Sequence, residues 1–402
     1  MTKILLGTPI RQKKEVLKEF LISLKEFDIS GIELDFIFID DNIESSSSDI
    51  LIDFKNNNPT NTIVISSDYE KNNQDYAYSE TTHHWSVEST NKVGQLKNKI
   101  IKHALDNNYD YLFFVDSDLI LPSPLLKHLV NRNVDIVSEV FWTVWESDRK
   151  ILPQVWMFDN YNFISPNLDQ NTSNDEIALK EKEFVDKMKN PNLYEVGGLG
   201  ACTLISKKAL QKGVSFELIK NISFIGEDRH FCIRASVLGL DLYADTCYPP
   251  LHLYRTYDLL KVPFYKKYWS EIDLNDNNYI EKFVENVFNF HFQEHNQNSL
   301  IDLINQNNFN LSNLILEGLL EVYRDNSIYK FLKSILLSKT EEYQKSIELV
   351  SKTLGSPEVS KSDVYFLIAQ NFKLLGDLDL FENYINKSKS FGDLKLIPFI
   401  NL

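Results

Sequence analysis

The residues best suited to chemistry in this chain are Asp116 and Asp118, which follow the apolar run Tyr111-Leu112-Phe113-Phe114-Val115 and flank Ser117. At i, i+2 spacing both carboxylates turn to one face of a strand end. Two hard oxygen donors on one face suit a divalent cation. A buried strand does not carry two unpaired charges, so the pair belongs at the carboxyl edge of a sheet, where open α/β folds bind ligands. Glu227 and Asp228 open a segment with Phe231, Ile233, Ala235, Val237 and Leu238 at helical spacing, and one of the two carboxylates is expected to cap that helix. Gly197, Gly198 and Gly200 lack the spacing and strand-turn-helix context of a dinucleotide fingerprint, and read as letting backbone approach a ligand closely.

These groups need a sheet to hold them. Residues 3–7 read as a first strand, with Thr8-Pro9-Ile10-Arg11 as the following loop; residues 34–39 form a second strand ending at Asp40-Asp41, and residues 62–65 a third. Val16, Leu17, Phe20, Leu21 and Leu24 keep a helical stripe, as do Val93, Leu96, Ile100, Ile101, Ala104 and Leu105 before the Asp116 strand. Strand alternating with helix implies an α/β fold with a mostly parallel sheet covered on both faces. Residues 159–192 are polar, with a short helix near Phe184, and read equally as a lid over the site or as a surface insertion.

Taken in order, the Asp116-Ser117-Asp118 strand, the glycine-bearing segment 194–206, Glu227-Asp228 and His252 resemble the family 2-like GT-A glycosyltransferases of bacteria. The resemblance covers about the first two thirds of the chain. It implies a GT-A domain, Rossmann-like, over residues 1–268, and transfer of a sugar from a nucleotide-sugar, a uridine diphosphate sugar above all, to an acceptor hydroxyl, with inversion. The resemblance gives Asp116 contact with ribose or metal, makes Asp118 a direct metal ligand and adds His252 as a third. A set of carboxylates and imidazole favours Mn²⁺ over Mg²⁺. The donor is expected against Thr8, Pro9 and Arg11, against Asp40 and Asp41, and against Lys97, Asp116, Ser117 and Gly200. Within that set Asp40 accepts from the base and Lys97 stands beside phosphate. Lys97-Asn98 departs from the Arg-Asn more usual in the family at that position. Of Glu227 and Asp228, Asp228 is the expected general base. Trp142, Trp145 and Trp156 offer a platform for a sugar ring or simply build the core.

Residues 269–402 read as an all-α domain that opens on a linker at residues 273–278. Residues 362–392 resemble a degenerate tetratricopeptide repeat through Tyr365, Ala369, Phe372, Gly376 and Ser388, with an earlier copy suggested by Ser334, Leu337, Ser346 and Val350. Such helices offer a surface for a protein partner or for self-association. His291-Phe292-Gln293-Glu294-His295 fits the short H-x-x-E-H pattern of inverted zinc proteases but has no third ligand in sequence, and reads as a solvated helix face.

With 402 residues, 43% apolar and 25% charged, the chain is long enough for two or three domains. A formal charge of −15 argues against nucleic acid and anionic membrane surfaces as partners. The odd set Cys202, Cys232 and Cys247, the short apolar N-terminus and the absence of a long apolar window point to a cytoplasmic protein without a transmembrane segment. The acceptor stays open among protein, peptide and glycan. Two other functions also stay open: a sugar-1-phosphate nucleotidyltransferase, which needs a Gly-rich loop after the first strand, and a non-catalytic interaction protein built on the helices.

Overall fold

The computed structural model describes residues 1–68, 76–78, 83–145, 150–165, 172–222, 226–288 and 292–401, with backbone alone at 76–78, 83–85 and 292–295. His291, Glu294 and His295 therefore lie outside the described side chains. The chain forms two compact units, Met1–Tyr254 with Lys261–Phe288, and Arg255–Leu260 with Asn289–Leu402.

The first unit is built on an eight-stranded mixed sheet. Its order is Leu193–Val196, Leu242–Asp245, Ile136–Glu139, Cys202–Ser206, Tyr111–Val115, Thr2–Ile10, Ile32–Asp40 and Thr62–Ser66. The strands from Tyr111–Val115 to Thr62–Ser66 are mutually parallel, and Cys202–Ser206 runs antiparallel to both its neighbours. Side chains of the central strands alternate between two covered faces. Ile4, Leu6, Phe36, Phe38 and Phe113 share a buried core with Leu17 and Phe20 of helix Lys14–Lys25 and Leu51 and Phe54 of helix Ser45–Asn57. On the opposite face Gly7 lies under helix Val87–Asp106, where an added Cβ would stand 2.4 Å from Ile100 Cγ2. Each large apolar side chain buried this way contributes about 2 kcal/mol.

The first strand is longer than expected. Thr8, Pro9 and Ile10 do not form a loop but pair with Phe38, Ile39 and Asp40. Pairing with Tyr111–Val115 stops at Gly7, so Pro9 falls where that side of the strand has no ladder partner, a position that tolerates a missing N–H. A second sheet, ordered Lys150–Pro153, Trp142–Trp145, Leu251–His252 and Leu119–Ile120, follows directly on the Asp116-Ser117-Asp118 turn. The insertion holds a fifteen-residue helix, Asn174–Met188, rather than a short one. Ser173 and Glu176 close a capping box at its start, and Phe184 and Met188 anchor it by burial.

Residues 273–278 turn the chain between helices Val262–Glu271 and Tyr279–Phe288, with Asp273 and Asp276 each accepting a backbone N–H two residues on. The three cysteines are free; Cys202 and Cys232 are buried.

The second unit is helical: Phe292–Asn305, Phe309–Val322, Ser327–Lys339, Tyr343–Ser351, Lys361–Leu374 and Leu378–Ser390. Gly376, at φ 85°, makes the left-handed turn between the last two. The Ser346 hydroxyl donates to Ser334 O at 2.7 Å, and Ser388 donates to Ser362 O at 2.8 Å, so small residues let helices approach closely in both places. Asp363, fully buried, accepts the N–H groups of Lys395, Leu396 and Ile397 at 3.1 Å and fixes the C-terminal segment. Among the described residues, no helix is long and apolar enough to cross a membrane.

Candidate active site

Asp116 leaves the sheet directly after Val115, and its N–H donates to Ala201 O at 2.9 Å. Leu119 N–H then donates back to Asp116 O, closing a tight turn over Ser117 and Asp118. The next strand sets Leu119 opposite His252, and Leu253 N–H donates to Asp118 O at 2.8 Å. This pairing brings the His252 Nε2 to 3.6 Å from Asp118 Oδ2. His252 Nδ1 shares a 2.8 Å hydrogen bond with the Thr143 hydroxyl on the adjoining strand, which fixes the ring.

Behind this pair lies Lys97, on helix Val87–Asp106. Its side chain is 3% exposed, and its ammonium stands 3.0 Å from Glu227, 3.3 Å from Asp228 and 3.8 Å from Asp116. Glu227 and Asp228 begin helix Glu227–Val237, but neither caps it. The N-cap residue is Gly226, no side-chain cap bond forms, and both carboxylates turn to Lys97 instead. The helix also buries Arg229 and His230 while Val237 is exposed, so its apolar residues do not form the expected stripe. Arg229 is held by the Asp159 carboxylate, which ties the insertion to the helix start.

Charge in the cluster is mutually adjusted. Burial, and then Asp118, Asp228 and Glu227, push the Asp116 carboxyl up to about 7 against the pull of Lys97. The Asp116 side chain is 42% exposed, so solvent moderates that rise. Burial and Glu227 raise Asp228 to about 6, again opposed by Lys97. Lys97 is held firmly protonated: burial acts against its charge, and the three carboxylates outweigh it.

Two cavities meet here. One, about 140 Å³, is lined by Pro9, Arg11, Asp41, Lys92, Lys97 and Ser117. The other, about 560 Å³, is lined by Gly200, Asp228, His252 and a set of aromatic rings. Asp116, Asp118 and Glu227 line both and form the wall between them.

Most expected site residues therefore converge, but Thr8 and Asp40 line neither cavity. Asp40 is buried and accepts from the backbone and side-chain N–H groups of Asn42 at 3.0 and 2.8 Å. Asp41 is the one that reaches the smaller cavity, paired with Arg11 and Lys92 at 2.8 Å each. The close approach expected at Gly197 and Gly198 is to the protein itself. A Cβ there would stand 1.9 Å from Met157 O or 2.0 Å from the Trp156 indole. Trp142 is core, whereas Trp145 and Trp156 line the larger cavity. Lys92 and Thr143 were not singled out from sequence. Lys92 shares a helix face with Leu96, whereas nothing local marks Thr143, whose role comes from strand pairing.

The residues present suit a divalent ion through the chemistry of the donor set: the Asp118 carboxylate and a fixed His252 imidazole face each other, with Asp116 two residues away. They are not gathered as a closed cage. Among the described residues, the one group of three such ligand atoms within 4.8 Å of each other is His128, Asp245 and Cys247, where Arg132 already pairs with Asp245.

Residues 1–145 match the family model described as Glycosyltransferase family 25, N-terminal domain, so this part of the chain carries a glycosyltransferase domain. No curated protein matches the chain. Similar solved structures include S. aureus TarS 1–349, at 15% identity and TM-score 0.36, covering 97% of this chain and 92% of that one. A mannosyltransferase from Pyrobaculum calidifontis, in complex with GDP-Man and Mn²⁺, is similar at 10% identity and TM-score 0.38, covering 97% and 88%. The site's own geometry, rather than these distant likenesses, carries the reading that follows.

Proposed function

We propose that the chain is a metal-dependent glycosyltransferase that moves a sugar from a nucleotide-sugar, a uridine diphosphate sugar in the first instance, to an acceptor hydroxyl with inversion. The observation that carries this reading is the shared wall of Asp116, Asp118 and Glu227 between a cavity with cations and a cavity with rings. Asp118, His252 and Asp116 would hold Mn²⁺ or Mg²⁺, and such an ion, when bound, offsets charge growing on the diphosphate as the glycosidic bond breaks. Arg11 and Lys92 stand where a diphosphate would meet fixed positive charge. Asp228 faces the larger cavity and takes the acceptor proton, because a carboxyl raised to about 6 is still ionised at neutral pH and more basic than an ordinary aspartate. Lys97 keeps Glu227 and Asp228 in place and limits their mutual repulsion.

The division into a catalytic part at 1–268 and a helical part at 269–402 belongs to the same reading. So do a cytoplasmic location and a partner or second copy bound by the helices. The nucleotidyltransferase alternative is disfavoured because the first strand continues through Ile10, leaving no Gly-rich phosphate loop after it. The test is hydrolysis of uridine diphosphate sugars with and without Mn²⁺. Metal-dependent release of the nucleoside diphosphate supports the proposal, and release of uridine monophosphate with sugar 1-phosphate would point to a different enzyme.

A further inference from the structure

The two sides of the Asp116–Asp118 wall differ in charge. Arg11, Lys92 and Lys97 line the smaller cavity, beside Asp41 and the shared Asp116, Asp118 and Glu227. The larger one has Asp116, Asp118, Glu227 and Asp228 in its lining and, among the described residues, no lysine or arginine. An anionic group therefore finds cationic side chains to pair with on one side and none in the lining on the other. Size separates them too: about 560 Å³ lies within the ordinary range for a small-molecule site.

What the larger cavity offers instead is exposed ring surface beside oxygen acceptors. Trp145 is 38% exposed and Tyr161 37% exposed, and the Tyr254 ring lies 5.5 Å from Trp145 at an interplanar angle of 59°. Amphipathic rings of this kind cover the C–H face of a pyranose while leaving its hydroxyls free to bond elsewhere. Gln154 and the Thr90 hydroxyl, which is buried without a hydrogen-bond partner among the described residues, add donors and acceptors to the carboxylates. An unpartnered buried hydroxyl is costly unless something else satisfies it.

We infer that the acceptor taken by this cavity is an uncharged glycan, with a pyranose ring against Trp145 and Tyr254 and its hydroxyls toward Gln154 and the carboxylate wall. The inference rests on the glycosyltransferase reading and narrows its acceptor. Acceptors bearing uronate or phosphate beside the reactive sugar are disfavoured, because the lining holds no lysine or arginine to pair with them.

The experiment is retention of the full chain on an array of neutral oligosaccharides, the same backbones carrying uronate or phosphate, and hydroxyl-bearing peptides. Binding of uridine diphosphate with Mn²⁺ is followed in parallel by thermal shift. Expected is retention on neutral glycans, weakened about tenfold by Trp145→Ala, the upper end for losing one aromatic contact, with the nucleotide shift unchanged. Gln154→Lys is expected to admit the uronate and phosphate glycans. Preferential retention on anionic glycans or on peptides overturns the inference, as does neutral-glycan binding indifferent to both Trp145→Ala and Tyr254→Ala. A normal nucleotide shift with no glycan retained overturns it while leaving the glycosyltransferase reading intact. Glycan binding with the expected variant effects but no nucleotide shift does the reverse.

Discussion

Asp118 and His252 meet because the strands that follow and carry them are paired, Leu119 opposite His252, so the backbone register sets their 3.6 Å separation. A pair fixed in this way is preorganised, and its imidazole is further held by Thr143 at 2.8 Å. Metal affinity at this point should then depend on the two side chains and little on loop ordering.

Asp118→Asn is accordingly expected to abolish Mn²⁺-dependent binding of uridine diphosphate while leaving the melting temperature of the free protein close to normal. Isothermal calorimetry with and without the metal checks this, and unchanged metal-dependent affinity would remove Asp118 from the site.

Asp228→Asn is expected to lower turnover by about a hundredfold or more with donor affinity nearly unchanged. In the unsubstituted protein kcat/KM should fall as pH drops through about 6, where the base becomes protonated. The stability consequence has the opposite sense. A carboxyl whose folded pKa is raised favours the fold at low pH, and that contribution is lost as pH rises through about 6. Melting scans across that window should show Asp228→Asn gaining on the unsubstituted protein as pH increases.

Lys97→Met removes the cation that Asp116, Glu227 and Asp228 share. Leaving buried charge without its partner costs about 3 kcal/mol or more, so urea unfolding should shift markedly to lower concentration. A variant as stable as the parent would mean that the carboxylates do not depend on Lys97.

At Gly198 a methyl group would stand 2.0 Å from the Trp156 indole. Gly198→Ala should destabilise the protein by about 1–3 kcal/mol and alter tryptophan fluorescence, because Trp156 is packed and must move. Unchanged emission and stability would show that the contact is loose.

In the second unit, Asp363→Ala leaves the N–H groups of Lys395, Leu396 and Ile397 without their acceptor. The expected loss is about 2 kcal/mol, with faster amide exchange confined mainly to those residues and to the start of helix Lys361–Leu374. Slow exchange at all three amides in the variant would locate the anchor elsewhere.

The parts of this protein that were legible in sequence are those written locally. An apolar run ending in Asp116-Ser117-Asp118 announces a strand end, and the strand–helix alternation announces the sheet. The capping box at Ser173 and Glu176 is equally local but does not enter the sequence reading, which therefore makes the helix near Phe184 too short. Lys97 was recognisable as a candidate, but not its carboxylate partners, because Glu227 lies 130 residues away. Thr8 to Ile10 read as a loop because a proline ordinarily ends a strand, and only the termination of the neighbouring ladder at Gly7 makes room for it. Gly197 and Gly198 do report close approach, but sequence does not say whether a ligand or a tryptophan approaches.

The wall formed by Asp116, Asp118 and Glu227 belongs to both cavities. A partition whose two faces are the same three side chains cannot be reshaped from one side without being reshaped on the other. A substitution in that partition is therefore expected to alter both cavities at once, so its effects on the two sides cannot be assigned separately.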